Sequence, residues 1–148
     1  MRVMKGILFI LMFCWSVTTS IAIADQNLND LLAPPAVTSQ EKEFFITLQK
    51  AIKADDAHWV GTHVLYPISV TISGHKTKIR NSPDFEKRYK EIITDAIKKA
   101  VAGQDPSKLV KTPQGVMVEN GSVWFDSMIF GDDPNKKPDV LVITINNT

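Results

Sequence analysis

The chain has 148 residues, 44% hydrophobic and 22% charged, with 17 Lys+Arg against 16 Asp+Glu and a single cysteine, Cys14. A formal charge of +1 excludes a protein whose main work is gripping a phosphate backbone, which needs a strong basic excess, so no nucleic-acid partner is expected. The length fits one domain with a core of its own.

Arg2 and Lys5 precede an apolar run from Gly6 to Val17, and Ala22 and Ala24 then stand in an A-x-A pattern before Asp25. Charged, apolar and small-residue regions in that order make residues 1–24 a secretory signal peptide. The apolar run is shorter than the ~20 residues a spanning helix needs, so no stable membrane anchor is expected. Cleavage near Ala24 would leave a periplasmic or secreted chain of 15 basic and 16 acidic side chains, with no cysteine. Such a chain must be held by its core or by a partner rather than by disulfides.

Residues 25–38 contain Leu31, Leu32 and Ala33-Pro34-Pro35-Ala36. The prolines forbid a regular element, which makes this stretch a tail or a strap ahead of a domain over 39–148. Thr38-Ser39-Gln40-Glu41 has the spacing of a capping box, and Phe45, Leu48 and Ile52 mark the apolar face of the helix it starts. Asp55 or Asp56 caps a second, shorter helix through His58, Trp59, His63 and Val64, stopped by Pro67. Ile68, Val70 and Ile72 alternate with Ser69, Thr71 and Ser73. The chain turns at Ser73-Gly74-His75, and Thr77 and Ile79 alternate with Lys76, Lys78 and Arg80, which predicts a hairpin with one wet face.

Asn81 or Ser82 caps the next helix, with Pro83 in its first turn. Phe85, Tyr89, Ile92, Ile93, Ala96, Ile97, Ala100 and Val101 form one broad stripe that ends at Gly103. Strands return at Val116–Glu119 and Ser122–Phe130 around the turn dipeptide Asn120-Gly121. A last strand runs over Val140–Ile145. Helices segregated from an antiparallel sheet, in the order α-α-β-β-α-β-β-β, define an α+β fold.

Two stretches carry a likeness to a known group: Ala54-Asp55-Asp56-Ala57-His58-Trp59 leading to Tyr66-Pro67-Ile68-Ser69-Val70, and Gly115-Val116-Met117-Val118-Glu119-Asn120-Gly121-Ser122-Val123-Trp124-Phe125. With the element order, these resemble the nuclear-transport-factor-two-like superfamily, the cystatin-like cone that includes ketosteroid isomerase-like and SnoaL-like proteins. The resemblance covers residues 40–146. It implies a curved antiparallel sheet wrapped around a long helix and enclosing a conical pocket, into which the enzymes of that group place Asp, His or Tyr. The group also includes ligand carriers and protein-binding modules, so the fold leaves function to the site.

Trp59, His63 and Tyr66 are spaced four and three apart and share a face if the second helix reaches Tyr66. They then line a pocket for a small apolar ligand, with His63 as base and Tyr66 as donor, or they form a packed helix–sheet seam. Asp126 is the acid within the long strand. Facing the cone it is a buried acid or base; facing outward it is a polar residue on a sheet surface. His58, His63 and His75 do not align for a metal, and no cofactor is implied.

The most informative feature lies in the last strands, where both parities are apolar: Val123, Phe125 and Ile129 on one, Trp124, Met128 and Phe130 on the other. One layer of helices covers one face. Trp124, Met128 and Phe130 are therefore expected to meet a protein partner, a second copy of the chain, or the Leu31–Pro35 strap. The sequence reads as a secreted, non-catalytic protein-binding module, in its concrete form an inhibitor or immunity protein against a toxin or envelope-acting enzyme. Its rival is a ligand-binding or isomerase-like enzyme using His63, Tyr66 and Asp126.

Overall fold

The computed structural model describes residues 35–133 and 135–148. The stretch expected to be a signal peptide and the leucines of the expected strap lie outside the described residues. Helix α1 spans Ser39–Lys53 and starts on the capping box: Glu41 N–H donates to Thr38 Oγ1 at 3.2 Å, and Thr38 N–H donates to Glu41 Oε2 at 2.9 Å. Its inward stripe is Phe45, Leu48, Ala51 and Ile52, all buried. Helix α2 spans Ala57–Thr62, with Asp56 accepting from Trp59 N–H at 2.9 Å. It ends sooner than expected, because residues 63–65 straighten to join a sheet. Val142 N–H donates to the His63 carbonyl and Leu65 N–H to the Val142 carbonyl, each at 2.8 Å, forming an isolated parallel bridge.

Strands β1 (Ile68–Ile72) and β2 (His75–Ile79) pair antiparallel from Ile68↔Ile79 to Ile72↔His75. Ser73 and Gly74 both take positive φ, 51° and 77°, as a two-residue hairpin turn of matching twist requires. Ile68, Val70, Ile72 and Ile79 are buried, whereas Ser69, Lys76 and Lys78 face water.

The long helix expected after Ser82 is three pieces: α3 (Ser82–Lys87), α4 (Tyr89–Ile92) and α5 (Asp95–Gly103). At the second break Thr94 turns extended and its Oγ1 accepts from Ile97 N–H. A β-branched run, Ile92-Ile93-Thr94, is a weak helix interior, and a threonine that offers a cap competes with continuing the helix. Most of the stripe survives the breaks: Phe85, Tyr89, Ile92, Ile93, Ile97 and Val101 are buried, whereas Ala100 is half-buried and Ala96 faces water.

A further strand, β3 (Val110–Thr112), occupies what the prolines at 106 and 113 suggested was loop. It precedes β4 (Gly115–Val118), β5 (Val123–Met128) and β6 (Asp139–Ile145). These four form an open antiparallel sheet in sequence order, separate from the β1–β2 hairpin. The architecture is α+β with two antiparallel sheets.

Register explains which side each residue takes. Lys111, Val116, Phe125 and Val142 stand in one row across the four strands, and Val118, Val123 and Ile145 in the next. This is the face that α1 covers. Phe125 is 0% exposed, stacked on Phe45 with ring centroids 5.9 Å apart and tilted against Phe44 at 5.3 Å. The opposite parity carries Val110, Met117 and Trp124 in a row with Thr144, then Asp126 opposite Leu141 and Met128 opposite Asp139. Strand β5 stops at Met128, so Ile129 and Phe130 leave the ladder and no longer follow its alternation. Among the described residues no helix is long and apolar enough to cross a membrane.

Candidate functional site

The pocket and acid–base candidates read from sequence separate into three places. Trp59 and His63 do share a site. Their rings stack at 4.0 Å and 16°, and Phe44 of α1 lies 5.7 Å from the indole and 6.0 Å from the imidazole. They line an open groove of about 540 Å³ between α1, α2 and the start of β6. His63 Nδ1 lies 2.7 Å from the Trp59 carbonyl. A carbonyl only accepts, so Nδ1 carries the proton in this contact and Nε2 is the nitrogen left for a ligand.

Tyr66 is elsewhere. Because α2 ends at Thr62, Tyr66 falls outside its face and does not line the groove. Its hydroxyl donates to the Gly61 carbonyl at 2.7 Å and its ring meets Phe85 edge-on. Burial, opposed by a Ser82 hydrogen bond and reinforced by Glu86 and Asp84, pushes the phenol well above its ordinary range. The group ties α2 to the following turn.

Asp126 sits at a third place. Its carboxylate is 3.5 Å from Lys111 Nζ and accepts from Ser127 N–H at 2.9 Å. It belongs to a polar cluster at the end of the four-stranded sheet, centred on Glu41. Glu41 is the one buried charged residue among those described, with no exposed surface. Its Oε1 accepts from Lys111 Nζ at 2.5 Å and from Ser127 Oγ at 2.9 Å, while Oε2 holds the Thr38 amide. Burial alone would raise the Glu41 pKa. The hydrogen bonds from Lys111, Thr38 and Ser127 overcome it and hold the carboxyl below its usual range. Lys111 is the mirror case: burial would lower it, but Glu41 and Asp126 hold it above the usual lysine range. A buried carboxylate with both oxygens hydrogen-bonded and a fixed ammonium partner is a brace.

The sequence marked Glu41 only as a capping residue, and it passed over Lys111 and Ser127. The usable signal is parity. Lys111 shares its row with Val116 and Phe125, and Ser127 is two residues after Phe125, so both point at α1. Among the described residues no group of three or more metal-ligating side chains gathers.

Trp124, Met128 and Leu141 lie on the sheet face opposite α1, each half-buried, and the Trp124 indole N–H donates to the Gly121 carbonyl at 3.2 Å. Val110, of the same parity, is 52% exposed, and Ile129 and Phe130, past the end of β5, are 62% and 43% exposed. No protein-family model, no curated protein and no solved structure matches the chain.

Proposed function

We propose that this chain is a secreted periplasmic protein-binding module that docks through the sheet face opposite α1. In its concrete form it is an inhibitor or immunity-type protein that neutralises a toxin or an enzyme of the cell envelope. The observation that carries the reading is the group of apolar side chains on the face of β3–β6 away from α1, Val110, Met117, Trp124, Met128 and Leu141, set among Asp126, Asp139 and Thr144. Val110 stands open on this face, and Ile129 and Phe130 stand open just past the end of β5. Aromatic and methionine side chains at the centre of a patch with charged surroundings are the composition of an interface core.

The placement of the other candidates supports the same reading. His63, Tyr66 and Asp126 engage Trp59, Gly61 and Lys111 respectively. An acid–base mechanism needs its groups converging on one reacting atom, and these three are held apart by their own partners. The finer fold belongs to the proposal too. We read the four-stranded sheet over α1 as the cone of the nuclear-transport-factor-two-like superfamily, with α1 as the wrapped helix.

The test places a photoreactive phenylalanine analogue at position 130 in cells of the native host. The reading predicts a cross-linked adduct with a second protein, larger than two copies of the chain. An adduct of two copies only would turn the face into a homodimer interface and remove the inhibitor reading. No adduct at all would remove the docking face.

A further inference from the structure

The groove beside Trp59 and His63 has one wall that is an open sheet edge. In β6, Val142 directs its N–H and C=O away from β5, to His63 and Leu65. Alternate residues of a strand point their backbone groups the same way. The strand is regular from Met128↔Asp139 to Phe125↔Val142, so Val140 directs its N–H and C=O to that same side. There the 63–65 segment has already left for α2 and supplies no further rung. Pro138 C=O, two residues earlier, accepts from Gln40 Nε2 at 2.6 Å. Among the described residues, Val140, itself 7% exposed, is therefore left with one vacant strand-pairing position, and it lines the groove.

The remaining walls have a defined chemistry. Phe44 and Trp59 supply aromatic surface, and the ionised groups of the lining are Glu43 and Asp139, with no lysine or arginine among them. Lys136 stands 3.6 Å from Asp139 at the margin, both largely exposed, and an exposed pair of this kind holds weakly. We infer that the groove takes an extended, basic peptide segment of a partner protein. The segment adds as a short strand at Val140 and places a Lys or Arg side chain between the Phe44 and Trp59 rings and the Glu43 and Asp139 carboxylates. Main-chain pairing supplies attachment and the aromatic–acidic walls select the cation. The inference goes beyond the proposed function and stands even if the face opposite α1 is covered.

The test is an NMR titration of the 15N-labelled protein with three capped pentapeptides: Lys-Val-Lys-Val-Lys, the same peptide N-methylated at its central residue, and Glu-Val-Glu-Val-Glu. The basic peptide should shift the amides of Val140 and Leu141 and the Trp59 indole. N-methylation should abolish the shifts at Val140, and the acidic peptide should give none. Glu43→Gln with Asp139→Asn, both at the surface, should weaken the basic peptide about tenfold, the change expected from two partly exposed charge contacts. Absent shifts, shifts centred elsewhere, equal affinity for the acidic peptide, or indifference to N-methylation would each overturn the inference.

Discussion

Glu41 and Lys111 meet across 70 positions of chain, Nζ to Oε1 at 2.5 Å, and so pin the first turn of α1 to the edge strand β3. Glu41 has no exposed surface, so removing its partner strands a charge in the interior. Lys111→Met alone should cost about 3–5 kcal/mol, whereas Glu41→Leu with Lys111→Met should return close to the parent, because an apolar pair needs no compensation. Urea denaturation midpoints of the three proteins decide this.

The same pair sets a pH response. The folded pKa of Glu41 lies below its ordinary 4.5, so its contribution is complete above that value and drains as pH falls through the folded pKa. Lys111 is raised above 10.5, so its contribution is complete below 10.5 and is lost as pH rises beyond it. The unfolding midpoint should fall steeply below about pH 4.5, and Glu41→Gln should flatten that acid limb. A parent and a variant with parallel acid limbs would contradict this.

Two tyrosines should respond oppositely to loss of the hydroxyl. Tyr89 is 4% exposed and its hydroxyl has no hydrogen-bond partner among the described residues; burial, with Asp55 and Asp56 nearby, pushes it up to about 12. Tyr89→Phe should be neutral or raise stability by up to ~1 kcal/mol, since it removes a buried donor that bonds to nothing. Tyr66→Phe should cost about 1–3 kcal/mol, because it orphans the carbonyl of buried Gly61. Thermal melts of the two variants test the contrast.

The two aromatic positions flanking the end of β5 should also separate. Phe125→Ala opens a cavity under α1 and should cost about 3–5 kcal/mol. Phe130→Ser, on a side chain 43% exposed, should leave the melt within about 0.5 kcal/mol of the parent while reducing partner capture.

The turns were the most legible part of the sequence. Ser73-Gly74 announces its hairpin because few residues accept positive φ; Asn120-Gly121 marked the place of the other, but that loop runs over residues 119–122, with positive φ at Glu119 and Gly121. The stripe from Phe85 to Val101 was legible as a buried face, but its continuity was not, since Thr94 reads equally as helix interior or cap until the fold chooses. β3 was hidden by its three-residue length between prolines. Trp59 and His63 could be placed together by helical spacing; Tyr66 could not, because the end of α2 is decided by a bridge to Val142, 80 residues away. The Glu41 cluster is long-range in the same way: no local pattern ties a capping glutamate to a lysine on an edge strand.

Oxidative footprinting of the purified monomer at micromolar concentration, beside the same protein in the intact cell envelope, tests the docking face most directly. The account predicts that hydroxyl radicals label Met128, Trp124 and Phe130 readily in the isolated chain, and that this labelling drops severalfold in the envelope while Val110 and its neighbours on β3 follow. Equal and low labelling of these side chains in the isolated monomer would mean that the chain covers its own sheet, and the proposed interface would not exist.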